Sequence, residues 1–211
     1  MGRRTDRVRW VVVGPAVGTA LGAVDSVVNH VPIWLGEVGT ARAERGVRSQ
    51  VSEFASLILN AGWAWAAAAV LVGWLVSRPA RPTAGVLRGA VAGALALVFA
   101  TTAYYAMDVL FDGGVWWDWR TRYWLVGSVL LGPALGVAGA SIRRPGPVGA
   151  LAALLVPAGA AVQMVVLPPP PDSLMAQPVR LTVWASAAVA TVLVIRTRTR
   201  REDLAPSVRP G

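Results

Sequence analysis

Six apolar runs, each long enough to cross a lipid bilayer, constrain this chain more than any other feature of its sequence. A helix of about 20 apolar residues spans the roughly 30 Å hydrocarbon core of a bilayer. No run alternates apolar and polar residues with a period of two, so a β-barrel is not expected. The sequence predicts an all-α integral membrane bundle of about six transmembrane helices, at about 10–34, 51–76, 86–110, 123–142, 148–167 and 173–195.

The composition supports the same class. Of the 211 residues, 55% are hydrophobic and only 15% are charged, whereas a soluble domain has about 25% charged residues. A lipid bilayer is therefore the first expected partner of the chain.

The arginines predict the orientation of the bundle. All 20 basic residues are arginines, and most fall on one side of the membrane if the N-terminus is inside. Cytoplasmic loops carry the excess of positive charge, so the segment 1–9 and the basic tail 196–211 are both expected in the cytoplasm. The loop 35–50 carries three arginines of its own, so its outer placement stays open. Arginines that set topology in this way do not indicate a nucleic-acid partner.

Small residues recur every four positions along three of the runs, which places them on one face of each helix. Such stripes let helices approach closely in lipid. They predict close packing between the spans, or against a membrane protein partner or a second copy of the chain. The stripes consist of Gly14, Gly18 and Gly22, then Gly85, Gly89 and Gly93, then Gly132, Gly136 and Ala140.

Polar side chains collect in the outer halves of the runs. Ionisable groups within a membrane are costly and often functional. We therefore hypothesise a polar cavity that opens to the outside and binds a small solute, with Arg180 as the counter-ion of Asp25, Glu53 or Asp108. The candidate ligand-binding residues are Asp25, Asn29, His30, Glu53, Asn60, Tyr104, Tyr105, Asp108, Gln163 and Arg180.

A second interpretation of the same residues needs no ligand. Polar groups on neighbouring helices also hold a bundle together by bonding to one another. His30 fits this view as a hydrogen-bonded residue near the membrane interface, although a histidine can also transfer protons near neutral pH. The aromatic residues of the second outer loop favour an interfacial belt, with a binding platform as the alternative; they are Trp116, Trp117, Trp119, Tyr123 and Trp124.

Signals for a metal, a cofactor or catalysis are absent from the sequence. There is no cysteine and a single histidine, and Asp108 with Asp112 offers too few oxygens for a hard cation. No G-x-S-x-G, H-E-x-x-H or phosphate-binding glycine loop occurs. We expect no metal site, no cofactor and no enzymatic activity.

Several short motifs occur between the second and the fifth runs: LNAGWAW at 59–65, GWL at 73–75, YWL at 123–125, GP at 132–133, PAGA at 157–160 and QM at 163–164. With these motifs the chain resembles a family of small multi-span membrane proteins of unknown function that is typical of high-GC Gram-positive bacteria. The resemblance covers about the second to the fifth spans. It implies a bacterial plasma membrane location, and it supplies no functional residues because the family has no assigned activity.

Three functions remain open at this point. The first is a binding or transport component for a small solute. The second is a non-catalytic accessory protein that packs against a partner through exposed stripes, for example at Gly89 and Gly93. The third is an enzyme that acts on lipid headgroups with Asp25, Glu53 and Asp108.

Overall fold

The computed structural model of the chain describes residues 2–77 and 82–203, with side chains at 11–77 and 83–200. Arg78, Arg81 and the end of the basic tail, 204–211, lie outside the described residues. Most of the described residues are helical, and no strand occurs among them. The helices are α1 (Gly2–Trp34), α2 (Val47–Leu59), α3 (Gly62–Val76), α4 (Pro82–Asp112), α5 (Trp119–Ser141), α6 (Gly146–Val166) and α7 (Ala176–Asp203), with a short 3₁₀ helix at Arg42–Glu44.

Five of these helices are long and apolar enough to cross a membrane, and α2 with α3 makes a sixth such unit as a bent pair. The prediction of an all-helical bundle with membrane-spanning helices is therefore confirmed. The predicted span at 51–76 consists of two helices, because the chain bends by 59° between α2 and α3. The break falls at Asn60 and Ala61, directly before Gly62, and asparagine and glycine are poor helix formers.

The glycine stripes pack the helices against one another. A β-carbon added at Gly18 or Gly22 would overlap the carbonyl oxygen of Ala96 or Ala100 on α4. Their backbones are in contact, as small-residue stripes permit. The stripes therefore hold together what we call the four-helix core, which consists of α1, α3, α4 and α5.

The α5 stripe meets α3 and α4 in the same manner. A β-carbon at Gly73 or at Gly89 would overlap the backbone of Gly136, and one at Gly93 would lie 2.5 Å from the carbonyl oxygen of Gly132. Gly89 and Gly93 are buried. The expectation that these two glycines face a partner protein is wrong, since they are used inside the bundle.

Helices α6 and α7 form a separate antiparallel pair, which we call the outer hairpin. Its own core contains Ala160, Met164, Val179 and Val183, and side chains of α2 such as Phe54 pack on it. The outer hairpin makes fewer contacts with the four-helix core than the core helices make with each other. The molecule thus has a tightly packed part and a more loosely attached part.

Contacts along the helices give their directions. Gly14 faces Ala92 and Gly22 faces Ala100, so α1 and α4 are parallel, and α5 runs antiparallel to α4. Both α1 and α4 therefore finish at the end of the bundle where α5 begins. We call this the polar end. There the carboxylate of Asp118 accepts a hydrogen bond of 2.8 Å from the Thr121 N–H and caps α5.

Candidate functional site

Between the glycine stripe and the polar end, α1 and α4 are joined by hydrogen bonds between side chains. The Asn29 amide donates to the Tyr104 hydroxyl over 2.9 Å, and the Ser26 hydroxyl donates to the Asp108 carboxylate over 2.7 Å. Two helices that pack by glycine in one half are thus joined by polar groups in the other half.

Helix α2 completes this network. The carbonyl oxygen of the Asn29 side chain accepts hydrogen bonds from the Ser56 hydroxyl and from the Asn60 amide, the second over 3.0 Å. The Ser52 hydroxyl donates to the backbone carbonyl of Val28 over 2.5 Å. Asn29 therefore links α1, α2 and α4 at one level. We call the connected residues the polar cluster; they are Ser26, Asn29, His30, Ser56, Asn60, Tyr104, Asp108 and Asp112.

His30 is buried within the polar cluster, with only 4% of its surface exposed. Its Nδ1 lies 2.7 Å from the carbonyl oxygen of Ser26, and its Nε2 lies 3.1 Å from the carboxylate of Asp112. A carbonyl oxygen only accepts, so Nδ1 carries a hydrogen. The ring also stacks edge-on to Phe111, at 4.9 Å between centroids. Both nitrogens of His30 are therefore used inside the protein.

Glu53 is buried and forms an ion pair that the sequence analysis did not identify. The guanidinium of Arg42 lies 2.6 Å from the Glu53 carboxylate and 3.3 Å from that of Asp172, in the loop before α7. Arg42 was visible in sequence only as one of three arginines in the loop 35–50.

The predicted role of Arg180 is wrong. Its side chain is exposed on α7 and forms no ion pair with Asp25, Glu53 or Asp108, all of which are described. The side chains of Val179 and Val183 on α7 are buried. Arg180 follows Val179 directly and so points about 100° away around the helix.

Gln163 lies at the break between α2 and α3. Its side-chain oxygen accepts a hydrogen bond of 3.1 Å from the backbone N–H of Trp63, in the first turn of α3. The first N–H groups of a helix have no partner within the helix. Gln163 therefore provides a hydrogen-bond acceptor for the first turn of α3 and connects α3 to the outer hairpin.

Asp25 differs from the other predicted polar residues because its buried side chain has no hydrogen-bond partner in the described ranges. Its side chain is completely buried, and neither carboxylate oxygen has a hydrogen-bond partner among the described residues. The indole of Trp65 lies beside it, but the indole N–H donates to the carbonyl oxygen of Leu59 over 2.9 Å. A buried polar group without a partner is costly and calls for an explanation.

Next to the polar cluster lies a cavity of about 730 Å³, between the four-helix core and α6. Most of its wall is apolar, with leucines from α4, α5 and α6 and alanines from α3 and α5. Two tryptophans, Trp65 and Trp124, also line it. The polar residues of the wall are Asn60, Thr101, Tyr104, Tyr105 and Ser128.

Few of these polar residues still have hydrogen-bonding capacity to offer. The hydroxyls of Thr101 and Ser128 lie 2.8 Å apart and bond to each other. The Tyr104 oxygen accepts from Asn29, which leaves its own hydrogen without an acceptor in the described ranges. The Tyr105 hydroxyl has no partner there either. Two phenol groups and the exposed amide of Asn60 can therefore reach a ligand.

The structure divides the predicted ligand-binding residues into two groups. Only Asn60, Tyr104 and Tyr105 line the cavity. The other predicted residues lie outside its wall, and most of them bond to protein; they are Asp25, Asn29, His30, Glu53, Asp108, Gln163 and Arg180. Trp65 and Trp124 were missed as lining residues, and Trp124 was assigned to an interfacial belt because its neighbours in sequence are aromatic.

Among the residues whose positions are described, no group of three or more histidine, aspartate or glutamate side chains could hold a metal ion. The pairs within the polar cluster place His30 3.1 Å from Asp112 and 4.0 Å from Asp108. The chemistry that the site offers is instead hydrogen bonding, aromatic contact and negative charge.

Comparison with known proteins identifies one relationship. The model of a family of unknown function, DUF6518, matches residues 50–208. The chain belongs to this family. Every residue that lines the cavity lies within the matched range, whereas α1, with Asp25 and Asn29, lies before it. No curated protein and no solved structure matches the chain. The resemblance to a family without an assigned activity is thus confirmed.

Proposed function

We propose that this protein is an integral membrane protein that binds a small, mainly apolar solute in the cavity between the four-helix core and α6. The observation that supports this proposal is the cavity itself, with a volume of about 730 Å³. Ligand sites in proteins are typically apolar cavities of roughly 300–1,000 Å³ with a few well-placed polar groups. Here Asn60, Tyr104 and Tyr105 are those groups.

The cavity is a candidate for binding or for transport. Helix α6 contributes one residue to the wall, Leu155, and belongs to the loosely attached outer hairpin. A solute can therefore enter if the outer hairpin moves relative to the core, without disruption of the glycine-packed interfaces. This supports a solute-binding or transport component over an accessory protein that packs through its glycine stripes, since the stripes are occupied internally.

The arginines support an orientation for the site. Arg88 on α4 and Arg143 and Arg144 in the turn after α5 lie at the end of the bundle opposite to the polar end. On the positive-inside rule that opposite end faces the cytoplasm. The polar cluster and the polar side of the cavity then lie toward the outside, with both termini in the cytoplasm. The resemblance described above favours the plasma membrane of a bacterium.

Quenching of tryptophan fluorescence tests the proposal, because Trp65 and Trp124 line the cavity. Bromobenzene, titrated into the detergent-solubilised protein, should quench part of the emission in a saturable manner. The double variant Trp65→Phe/Trp124→Phe removes the two tryptophans of the cavity wall and should abolish the saturable part. Trp117→Phe, at an exposed position outside the wall, is the control and should retain it.

The proposal fails if quenching rises linearly with bromobenzene, as it does for simple partition into detergent. It also fails if the double variant Trp65→Phe/Trp124→Phe and Trp117→Phe give the same saturable quenching. Circular dichroism of both variants checks that the helices remain folded.

A further inference from the structure

We propose that the cavity binds a lipophilic organic cation. This inference rests on the proposed function and specifies the charge of its ligand, which the volume of the cavity does not determine. Three features support it: the aromatic residues of the wall, the carboxylates behind them, and the absence of arginine among the lining residues.

Four aromatic side chains, Trp65, Tyr104, Tyr105 and Trp124, line the cavity. The Tyr104 and Tyr105 rings lie 5.2 Å apart between centroids and edge-on to each other, and Trp65 lies 6.3 Å from Tyr104. The faces of aromatic rings attract cations, and groups of such rings recognise quaternary ammonium ligands. The wall therefore offers a cation favourable contacts that an anion does not obtain.

Two carboxyl groups lie close to this wall. Asp25 is fully buried, lies beside Trp65 and has no hydrogen-bond partner in the described parts of the chain. Asp108 lies one helical turn after Tyr104 on α4. Charges interact strongly where the surroundings are apolar. A cation in the cavity would therefore be stabilised by carboxylates that it does not touch.

No positive side chain of the protein competes with a cation at this wall, since no arginine and no histidine lines the cavity. The nearby His30 lies 3.1 Å from Asp112 and 4.0 Å from Asp108, so carboxylates already accompany it. Asp25 has no hydrogen-bond partner among the described residues, and a cation in the cavity would favour its ionised form.

The ligand must also be largely apolar. The leucines of the wall cannot hydrogen-bond, and the hydroxyls of Thr101 and Ser128 already bond to each other. A small hydrated cation would lose its water without replacement. An organic cation with apolar substituents keeps its charge near the aromatic rings and contacts the leucines with the remainder of its surface.

A series of probes with one shape and three charges tests the inference. Tetraphenylphosphonium, tetraphenylsilane and tetraphenylborate are a cation, a neutral molecule and an anion of similar size. Equilibrium dialysis against the detergent-solubilised protein, corrected with protein-free micelles, measures their binding. We expect the cation to bind at least about tenfold more tightly than the neutral probe, and the anion not to bind specifically.

Two sets of variants locate the effect. Asp25→Asn keeps the shape of the side chain and should weaken binding of the cation by about tenfold while leaving the neutral probe unchanged. Tyr105→Phe keeps the ring and should retain cation binding, whereas Tyr105→Leu should weaken it roughly three- to thirtyfold. Trp117→Leu removes an exposed aromatic residue outside the cavity wall and is the control.

The outcomes separate this inference from the proposed function. Equal binding of the cation and the neutral probe overturns the charge assignment and leaves the binding site in place. If none of the probes binds and bromobenzene also fails to give saturable quenching, both proposals are wrong. Should Asp25→Asn fail to fold, the charge series on the unaltered protein and the Tyr105 pair still decide the question.

Discussion

Helices α1 and α4 associate in two different ways along their length. In one half, Gly18 and Gly22 bring the backbone of α1 into contact with Ala96 and Ala100. In the other half, toward the polar end, the same helices are joined by side-chain hydrogen bonds such as Asn29 to Tyr104. Close packing depends on the absence of side chains, while polar pairing depends on their chemistry and geometry. The interface between α1 and α4 thus contains both mechanisms of helix association in a membrane, glycine packing and side-chain hydrogen bonding, and variants in its two halves can compare them.

The largest effect is expected in the glycine half. Gly18→Leu forces the backbones of α1 and α4 apart, because even a β-carbon would overlap the Ala96 carbonyl oxygen. We expect a loss of about 3 kcal/mol or more in the free energy of unfolding, at the upper end of overpacking costs. Unfolding in mixed micelles measures it. Gly159→Leu is the control, since no heavy atom lies within 4 Å of its added β-carbon; equal losses would contradict the role of the stripe.

The polar half should respond less. Asn29→Leu removes hydrogen bonds to Tyr104, Ser56 and Asn60, and such bonds between membrane helices contribute about 0.6 kcal/mol each. We expect a loss of about 2 kcal/mol. A double-mutant cycle of Asn29→Leu with Tyr104→Phe should show a coupling energy of about 0.6 kcal/mol, and strict additivity would mean that the bond contributes nothing.

The ion pair of Arg42 and Glu53 extends the comparison to α2. Arg42→Gln leaves the buried Glu53 carboxylate without its counter-charge. Because Arg42 is partly exposed, we expect a loss of about 1 to 2 kcal/mol, less than for a fully buried pair. Adding Glu53→Gln should restore most of it. If the double variant is no more stable than Arg42→Gln alone, the loss does not come from an unpaired charge.

The smallest effect on stability is expected outside both halves of the α1–α4 interface, at the start of α5. The hydrogen bond from the Thr121 N–H lowers the pKa of Asp118 below its usual range. A carboxyl with a lowered pKa in the folded state contributes stability above its unfolded pKa, and this contribution disappears as pH falls through the folded pKa. Melting temperatures should therefore converge for the unaltered protein and Asp118→Asn below about pH 3. A constant difference down to pH 2 would exclude this titration as the cause.

The comparison also explains what the sequence could predict. Helix-packing glycines repeat every four residues on each partner, so Gly18 and Gly136 were identifiable without knowledge of their contacts. The partner of a polar side chain depends on how two helices rotate against each other. For that reason Arg180 was paired wrongly and Arg42 was not paired at all.

The break at Asn60 and the cavity were harder to foresee for related reasons. The motif at 59–65 contains the asparagine and the glycine that end α2 and begin α3, but the surrounding run is apolar enough to be a single span. The cavity lies between the four-helix core and the more loosely attached α6, and no local sequence pattern encodes that arrangement. Tyr104 and Tyr105 were singled out by their depth in the third run and line the cavity, and their role in binding stays a prediction.

The single α6 residue in the cavity wall, Leu155, has a consequence for selectivity. One side of the cavity is the more rigid, since it belongs to helices that pack closely through their glycines, while the facing side belongs to a helix pair with fewer contacts to them. The width of such a cavity adjusts to the ligand, so the cavity discriminates poorly between ligands of different size. The electric field from the rigid side does not change with the ligand. The cavity therefore selects a ligand by the sign of its charge more than by its shape.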